Sequence, residues 1–220
     1  MHWTELPVCY LDFEGSRQSG ILEYGMVFLR DGGIDRCLSR LCAPTGAVRP
    51  EDTRTHGIRK EDVAGLAPFT EEWDVMTASR REGVLGCHFS GAESHLLKSV
   101  WPYPPPSPDF GKGTGTCNDW GPWIDTGRLY LNLYPDLPSA GLAELVSAFG
   151  LEAELAGLAE THCPPNRRHF HAALYDALAG ALLLLRVGRL PEFAGMTAAW
   201  LLRMSAGKER AGGLAQRELW

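Results

Sequence analysis

The 220-residue sequence lacks a long hydrophobic run, paired cysteines and an excess of basic residues. Its longest apolar stretch, residues 177–185, is far shorter than the roughly 20 residues that cross a bilayer as a helix. The six cysteines form no C-x-x-C pair and no disulfide-like framework, which is typical of a reducing compartment. The first residues have neither the basic nor the apolar region of a signal peptide. We therefore expect a cytoplasmic protein with no membrane partner.

The charge balance is acidic: 21 Lys and Arg residues stand against 27 Asp and Glu residues, a net charge of −6. This argues against broad coating of nucleic acid or of an anionic membrane, which needs an extended basic face. It does not exclude an enzyme that contacts only a few phosphates. Hydrophobic residues make up 45% of the chain and charged residues 22%, which is ordinary globular composition and excludes a disordered or fibrous protein.

Three apolar runs joined by short turns, residues 8–11, 21–29 and 34–41, predict an antiparallel meander. Helical periodicity follows over residues 69–80, 92–100, 142–149 and 172–187, with short predicted strands at residues 84–88 and 123–124. A meander followed by strand–helix alternation is typical of a mixed-sheet α/β domain. We expect this domain to occupy residues 1–204.

Two segments do not fit this pattern. Residues 101–123 are rich in proline and aromatic residues and are longer than a normal connection, so we expect an insertion without regular structure. Its aromatic residues could stack bases or cover a cleft, but packing of the loop onto the body is the favoured interpretation. Residues 205–220 are rich in glycine and charge, and we expect a mobile tail there.

Acidic residues stand at strand-to-helix junctions or inside an apolar helix in three places. Asp12 and Glu14 end the first apolar run and leave the same face of a strand. Asp176 interrupts an apolar helix, where an unpaired carboxylate costs several kcal/mol. Glu93 lies at the start of a helix, where the helix dipole alone explains an acid. A bound divalent cation would relieve the repulsion between Asp12 and Glu14, and a solvated strand end is the alternative.

His171 precedes Asp176 by five residues, which is about 500° on a helix, so the two side chains cannot share a helical face. We expect His171 to lie in the turn before the helix, from which it can reach the same site. A surface histidine and a capping aspartate are the alternative interpretation.

Together these elements resemble the DEDDh 3′–5′ exonucleases, which include the proofreading subunit of bacterial replicative polymerases, ribonuclease T and oligoribonuclease. The resemblance extends over residues 8–181. Residues 171–179 match the family's third motif at every defining position, and the other similar segments are residues 10–14 for the first motif, 21–27 for the next strand, 55–58 for the H-G-I loop and 124–126 for the later D-T pair. In two places the sequence departs from the family: Gly15 stands where the family usually has threonine, and Glu93 stands where it usually has aspartate.

The resemblance implies a ribonuclease H-like exonuclease fold, a mixed five-stranded sheet flanked by helices. It also implies metal-dependent hydrolysis of nucleic acid, DNA or RNA and single-stranded, from the 3′ end, with release of nucleoside 5′-monophosphates. Two Mg²⁺ or Mn²⁺ ions would be held by Asp12 (bridging both), Glu14, Asp176 and, through water, Glu93. His171 would act as general base, a role that suits a side chain titrating near neutrality. Substrate contacts are implied for Gly15, His56, Gly57 and Ile58.

Other interpretations remain open at this level. A zinc site at His162, Cys163, His169 and His171 lacks the paired ligand spacing of structural zinc sites. A catalytically impaired exonuclease fold that binds nucleic acid or protein is the main alternative function, although all four carboxylates and the histidine are present. The adjacent Arg167 and Arg168 are interpreted as a solvated turn rather than as phosphate ligands. A polymerase partner and a homodimer both remain possible.

Overall fold

The computed structural model describes residues 1–206. Its strands are β1 (Val8–Ser16), β2 (Gly20–Arg30), β3 (Gly33–Leu41), β4 (Val84–Cys87), β5 (Ser107–Pro108), β6 (Thr116–Cys117) and β7 (Trp123–Asp125). Its α-helices are α1 (Pro50–His56), α2 (Trp73–Glu82), α3 (Ser90–Val100), α4 (Thr126–Leu133), α5 (Leu142–Ala148), α6 (Glu152–His162), α7 (Ala173–Arg189) and α8 (Ala198–Ser205). None of these helices combines the length and apolarity that a bilayer crossing requires.

Five strands form one mixed sheet in the order β3-β2-β1-β4-β7. The pairs β1–β2 and β2–β3 are antiparallel, whereas β1–β4 and β4–β7 are parallel. The antiparallel half is the meander that the short turns predict, and the parallel half follows from the helical crossovers between β1, β4 and β7. The predicted mixed five-stranded sheet flanked by helices is therefore confirmed.

The two faces of the sheet carry different cores, because successive strand residues point in opposite directions. Tyr10 packs in the cluster that contains most of α7, whereas Leu11 and Phe13 pack in a second cluster with Phe69. The same alternation places Asp12 and Glu14 on the face covered by α7, which carries Asp176.

α7 approaches the sheet closely at its first turn. A Cβ atom at Gly25 of β2 would collide with the backbone of Ala173 and Leu174, so only glycine permits this contact. The start of α7 is thereby held against β2, which brings Asp176 close to the end of β1.

The segment 101–123 folds onto the body, as favoured from its composition, although it contains the two-residue ladder of β5 and β6 that the sequence did not predict. Trp101 contacts the rings of Phe69, Trp73 and Trp120, and Trp120 is fully buried. The buried Arg80 donates to backbone oxygens of Pro108, Asp119 and Gly121 and to the Cys117 sulfur. These donated bonds fix the segment to α2.

The C-terminal boundary differs from the expectation in one detail. Ser205 is the last residue of α8 and its side chain is buried, so it belongs to the folded domain rather than to a tail. The remainder of the predicted tail, residues 207–220, lies outside the described residues. Helices α1, α6 and α8 were not predicted. The six cysteines are free thiols.

Candidate active site

Asp12 and Glu14 lie at the end of β1, where Glu14 is opposite Glu23 of β2. The register shifts between Glu14 and Gly15, and Gly15 has φ +134°, a conformation that other residues rarely adopt. A Cβ atom at Gly15 would also meet the backbone of Gly20. The glycine that departs from the family pattern therefore fits the local backbone, where the β1–β2 register shifts directly after Glu14.

His171 lies in the turn before α7, as predicted, since the helix begins at Ala173. It has φ +65°, and its backbone N–H donates to Asp176 Oδ2 at 3.0 Å. Asp176 lies in the first turn of α7, where the helix dipole favours an acid. This hydrogen bond holds the turn against the first turn of α7. The side chains of His171 and Asp176 therefore reach the same site, one from the turn and the other from the helix.

Glu93 lies in the first turn of α3 and is 6% exposed. The start of this helix is fixed by the fully buried Asp125, which accepts hydrogen bonds from the backbone N–H groups of Phe89, Ser90 and Arg128 at 2.8–3.1 Å. Asp125, the last residue of β7, thus caps α4 and also anchors α3. Through that second contact it positions Glu93.

The structure brings three of the predicted site residues into one group: an oxygen of Glu14, an imidazole nitrogen of His171 and an oxygen of Asp176 all lie within 4.8 Å of one another. Asp12 and Glu93 interact electrostatically with Asp176 at the same place. His171 therefore groups with carboxylates, and Cys163 packs in the core against α7, which gives no support to the zinc alternative.

Burial is the main reason why the pKa values of these carboxyl groups lie above their usual range. It raises the pKa of Glu14 to about 8, with further contributions from the charges of Asp176 and Glu23. It raises the pKa of Glu93 to about 8 and that of Asp176 to about 7, in each case against one backbone hydrogen bond that favours the anion. For Asp12, burial and the charges of Glu93 and Asp176 raise the pKa well above its usual range.

Three carboxylate oxygens of this cluster are buried and accept no hydrogen bond from the residues described: Asp12 Oδ2, Glu93 Oε2 and Asp176 Oδ1. A buried polar atom without a partner costs free energy, and three such atoms in one cluster need a common explanation. Hard oxygen ligands are those that Mg²⁺ and Mn²⁺ prefer. The residues present therefore fit a divalent cation.

The four predicted substrate contacts lie near this cluster in different environments. His56 is buried, its Nδ1 accepts from the Ile58 N–H at 3.0 Å, and its Nε2 has no partner among the described residues. Gly57 ends α1 with φ +74°. The Ile58 side chain packs with Leu22 and is 3% exposed, so it stabilises the loop rather than offering a free surface.

Sequence reasoning missed an ion pair beside the site. The sequence favours a solvated Arg167, but its side chain is only 11% exposed and is paired with the buried Glu23. Arg168 is exposed, as expected, and donates to backbone oxygens of Glu160 and Cys163 at the end of α6. An acid in the strand after the D-x-E motif and two arginines before the histidine were visible in the sequence, but nothing there indicated which arginine pairs with the acid.

The raised pKa values predict how the stability of the metal-free protein depends on pH. The folded state binds more protons than the unfolded chain, whose Asp and Glu pKa values are about 4. This contribution to stability is complete below pH 4 and is lost as pH rises through about 7 to 8. In chelator, the free energy of unfolding, measured by urea denaturation, should fall by several kcal/mol between pH 5.5 and pH 8, with about 2 to 3 kcal/mol from each group whose pKa rises to about 7 or 8. The free energy of unfolding of Glu14→Gln should fall less over the same pH interval. A wild-type stability that stays equal or rises with pH would contradict the raised pKa values.

Comparison with known proteins gives the fold. No protein-family model and no curated protein matches the sequence. Among solved structures, Exonuclease X in complex with 5′ overhanging duplex DNA is 24% identical with a TM-score of 0.63, over 91% of this chain and 99% of that one. The nuclease domain of 3′hExo, a DEDDh family member, bound to rAMP, is 15% identical with a TM-score of 0.55, over 85% and 94%. The zinc-bound E. coli ExoI–ssDNA complex is 12% identical with a TM-score of 0.56, over 84% and 40%. The chain therefore has the fold of the 3′-exonucleases, as its motifs predict.

Proposed function

We propose that the chain is a metal-dependent 3′–5′ exonuclease that releases nucleoside 5′-monophosphates. The observation that carries this proposal is the cluster of the half-buried Asp12 with the buried Glu14, Glu93 and Asp176 and with His171 at its rim, on the fold of the 3′-exonucleases. The cluster supplies oxygen ligands, the histidine supplies a group that can take a proton, and the fold is one on which solved structures carry DNA or a nucleotide.

The carboxylates of Asp12, Glu14 and Asp176 would hold two Mg²⁺ or Mn²⁺ ions, with Glu93 in support through water. When bound, the ions would neutralise charge on the scissile phosphate and favour both the attacking water and the leaving 3′ oxygen. Glu93 has an arm one methylene longer than the aspartate of the family, a change that contact through water would tolerate. The metal also explains why four mutually repelling acids are retained in one buried place.

His171 would take the proton from the water that attacks phosphorus, while the bond from phosphorus to the 3′ oxygen breaks. It is exposed whereas Glu14 and Asp176 are buried, so its imidazole lies on the solvent side of the cluster, where water and substrate arrive. The H-G-I loop at residues 56–58 would bind the terminal nucleotide, chiefly through the His56 imidazole and the Gly57 backbone, and Gly15 would leave room beside it.

The direct test is degradation of 5′-labelled single-stranded DNA and RNA of equal sequence, with Mn²⁺, Mg²⁺ or chelator. We expect Mn²⁺-dependent shortening by one nucleotide at a time, with 5′-mononucleotide as product. A 3′-phosphorylated oligonucleotide serves as a matched substrate with a blocked end. Binding without cleavage under every divalent ion would favour the alternative function, a catalytically impaired module that binds nucleic acid, and internal cleavage would contradict the exonuclease assignment. Stimulation of degradation by an added polymerase would indicate a polymerase partner. A rate per molecule that changes with protein concentration would indicate a homodimer.

A further inference from the structure

Arg167 is held by four acceptors on three separate parts of the chain. Its guanidinium binds both carboxylate oxygens of Glu23 on β2, the backbone oxygen of His56 at 2.7 Å and the backbone oxygen of His171 at 3.2 Å. These contacts join β2, the H-G-I loop and the turn that carries the proposed base. A planar guanidinium is suited to such a junction because its donors have fixed directions.

Glu23 holds the same turn from its other side. Its carboxylate accepts a hydrogen bond from the backbone N–H of Ala173 at 3.0 Å, two residues after the carbonyl that Arg167 binds. Arg167 and Glu23 therefore bind the backbone on both sides of Ala172, at the His171 oxygen and the Ala173 N–H. His171, with φ +65°, has a backbone conformation that non-glycine residues keep only when their surroundings impose it.

We infer that Glu23 and Arg167 form a positioning pair that fixes the His171 turn, and with it the direction of the imidazole toward Glu14 and Asp176. This inference rests on the proposed exonuclease function. It assigns to Arg167 a role different from phosphate binding. Four of the five guanidinium donors point at protein acceptors, and the charge is balanced by Glu23 at a side chain that is 11% exposed.

The first test compares Arg167→Gln with Arg168→Gln, a matched control that removes the neighbouring arginine. If Arg167 acts through His171, kcat should fall about 10- to 100-fold in Arg167→Gln, the range seen when a supporting residue of a site is lost. KM for the oligonucleotide and the affinity for Mn²⁺ should stay within about threefold. Arg168→Gln should keep wild-type values. Arg167→Lys should recover only part of kcat, because a point charge cannot replace the fork of donors.

A double-mutant cycle separates positioning from direct contact. In a His171→Ala background, Arg167→Gln should cause no further loss of kcat, because the group that it positions is already absent. Additive losses, or a rise in KM without loss of kcat, would show that Arg167 contacts the substrate and would overturn the inference.

Amide hydrogen exchange tests the Glu23–Arg167 pair by a measurement that does not depend on nuclease activity. In chelator, the peptide covering residues 169–174 should exchange about tenfold faster or more in Arg167→Gln than in the wild type, as expected from the loss of charge-assisted hydrogen bonds, and Arg168→Gln should not differ. Should Arg167→Gln fail to fold because Glu23 stays buried without its cation, the double variant Glu23→Gln/Arg167→Gln takes its place. Unchanged exchange would overturn the inference. A wild-type protein without nuclease activity would overturn the proposed function instead, and the exchange result would still decide the role of the pair.

Discussion

Replacement of Asp12 by asparagine should lower turnover at least about 10³-fold at saturating Mn²⁺ while the protein stays folded. Asp12 is one of the carboxylates proposed to hold the ions, and loss of the charge stabilisation that a metal gives the transition state costs several kcal/mol. The folded state should not suffer, because Asp12 is crowded by the charges of Glu93 and Asp176. Asparagine cannot ionise, so it removes a group whose ionisation is disfavoured there, and the melting temperature in chelator should hold or rise.

The control is Asp74→Asn, which removes an exposed acid from α2 and should change neither turnover nor melting. Circular dichroism and thermal melting in chelator show whether each variant is folded, and oligonucleotide degradation gives turnover. An Asp12→Asn protein that hydrolyses at the wild-type rate would show that the acidic cluster is not the metal site.

His171→Ala should lower turnover by about 10²- to 10⁴-fold, the usual contribution of general acid–base catalysis. The Mn²⁺ affinity should be nearly unchanged, because the carboxylates remain. This separation matters because the His171 imidazole lies close enough to Glu14 and Asp176 to be a metal ligand itself. As a base, His171 affects turnover alone, whereas as a ligand it would affect turnover and metal affinity together.

His169→Ala is the matched control, since His169 is an exposed histidine two residues away whose ring contacts the Phe170 carbonyl. Calorimetry gives Mn²⁺ affinity for each variant, and added imidazole should restore part of the turnover of His171→Ala. Wild-type turnover in His171→Ala, or a loss of its metal, would show that His171 has a different role.

Local patterns predicted most of the sheet. The apolar runs and turns at residues 8–41 determine the meander because each strand pairs with its neighbour along the chain. The geometry of a helix sufficed to place His171 outside α7. The D-x-E spacing placed Asp12 and Glu14 on one face because strand side chains alternate. Each of these predictions depends on residues that are near in sequence.

What the sequence could not predict depends on contacts between distant residues. Glu23 and Arg167 are 144 residues apart, and only the close approach of α7 to Gly25 makes them neighbours. Arg80 stands at the helical spacing of the apolar residues before it, but nothing local indicates that the segment 101–123 folds over it and supplies its acceptors. In both cases a buried charge is stabilised by partners that no local pattern identifies.

The most direct test of the metal site is calorimetric titration of Mn²⁺ into the chelator-treated protein at pH 7, in two buffers of different ionisation enthalpy. Because the pKa values of Glu14 and Glu93 are about 8 in the metal-free protein, both groups are partly protonated at pH 7, and a bound cation must displace those protons. We expect saturable binding of two ions with net proton release in the wild type, and loss of tight binding in Asp12→Asn. Absence of saturable binding, or equal binding and proton release in Asp12→Asn, would contradict the assignment of this cluster as the catalytic metal site.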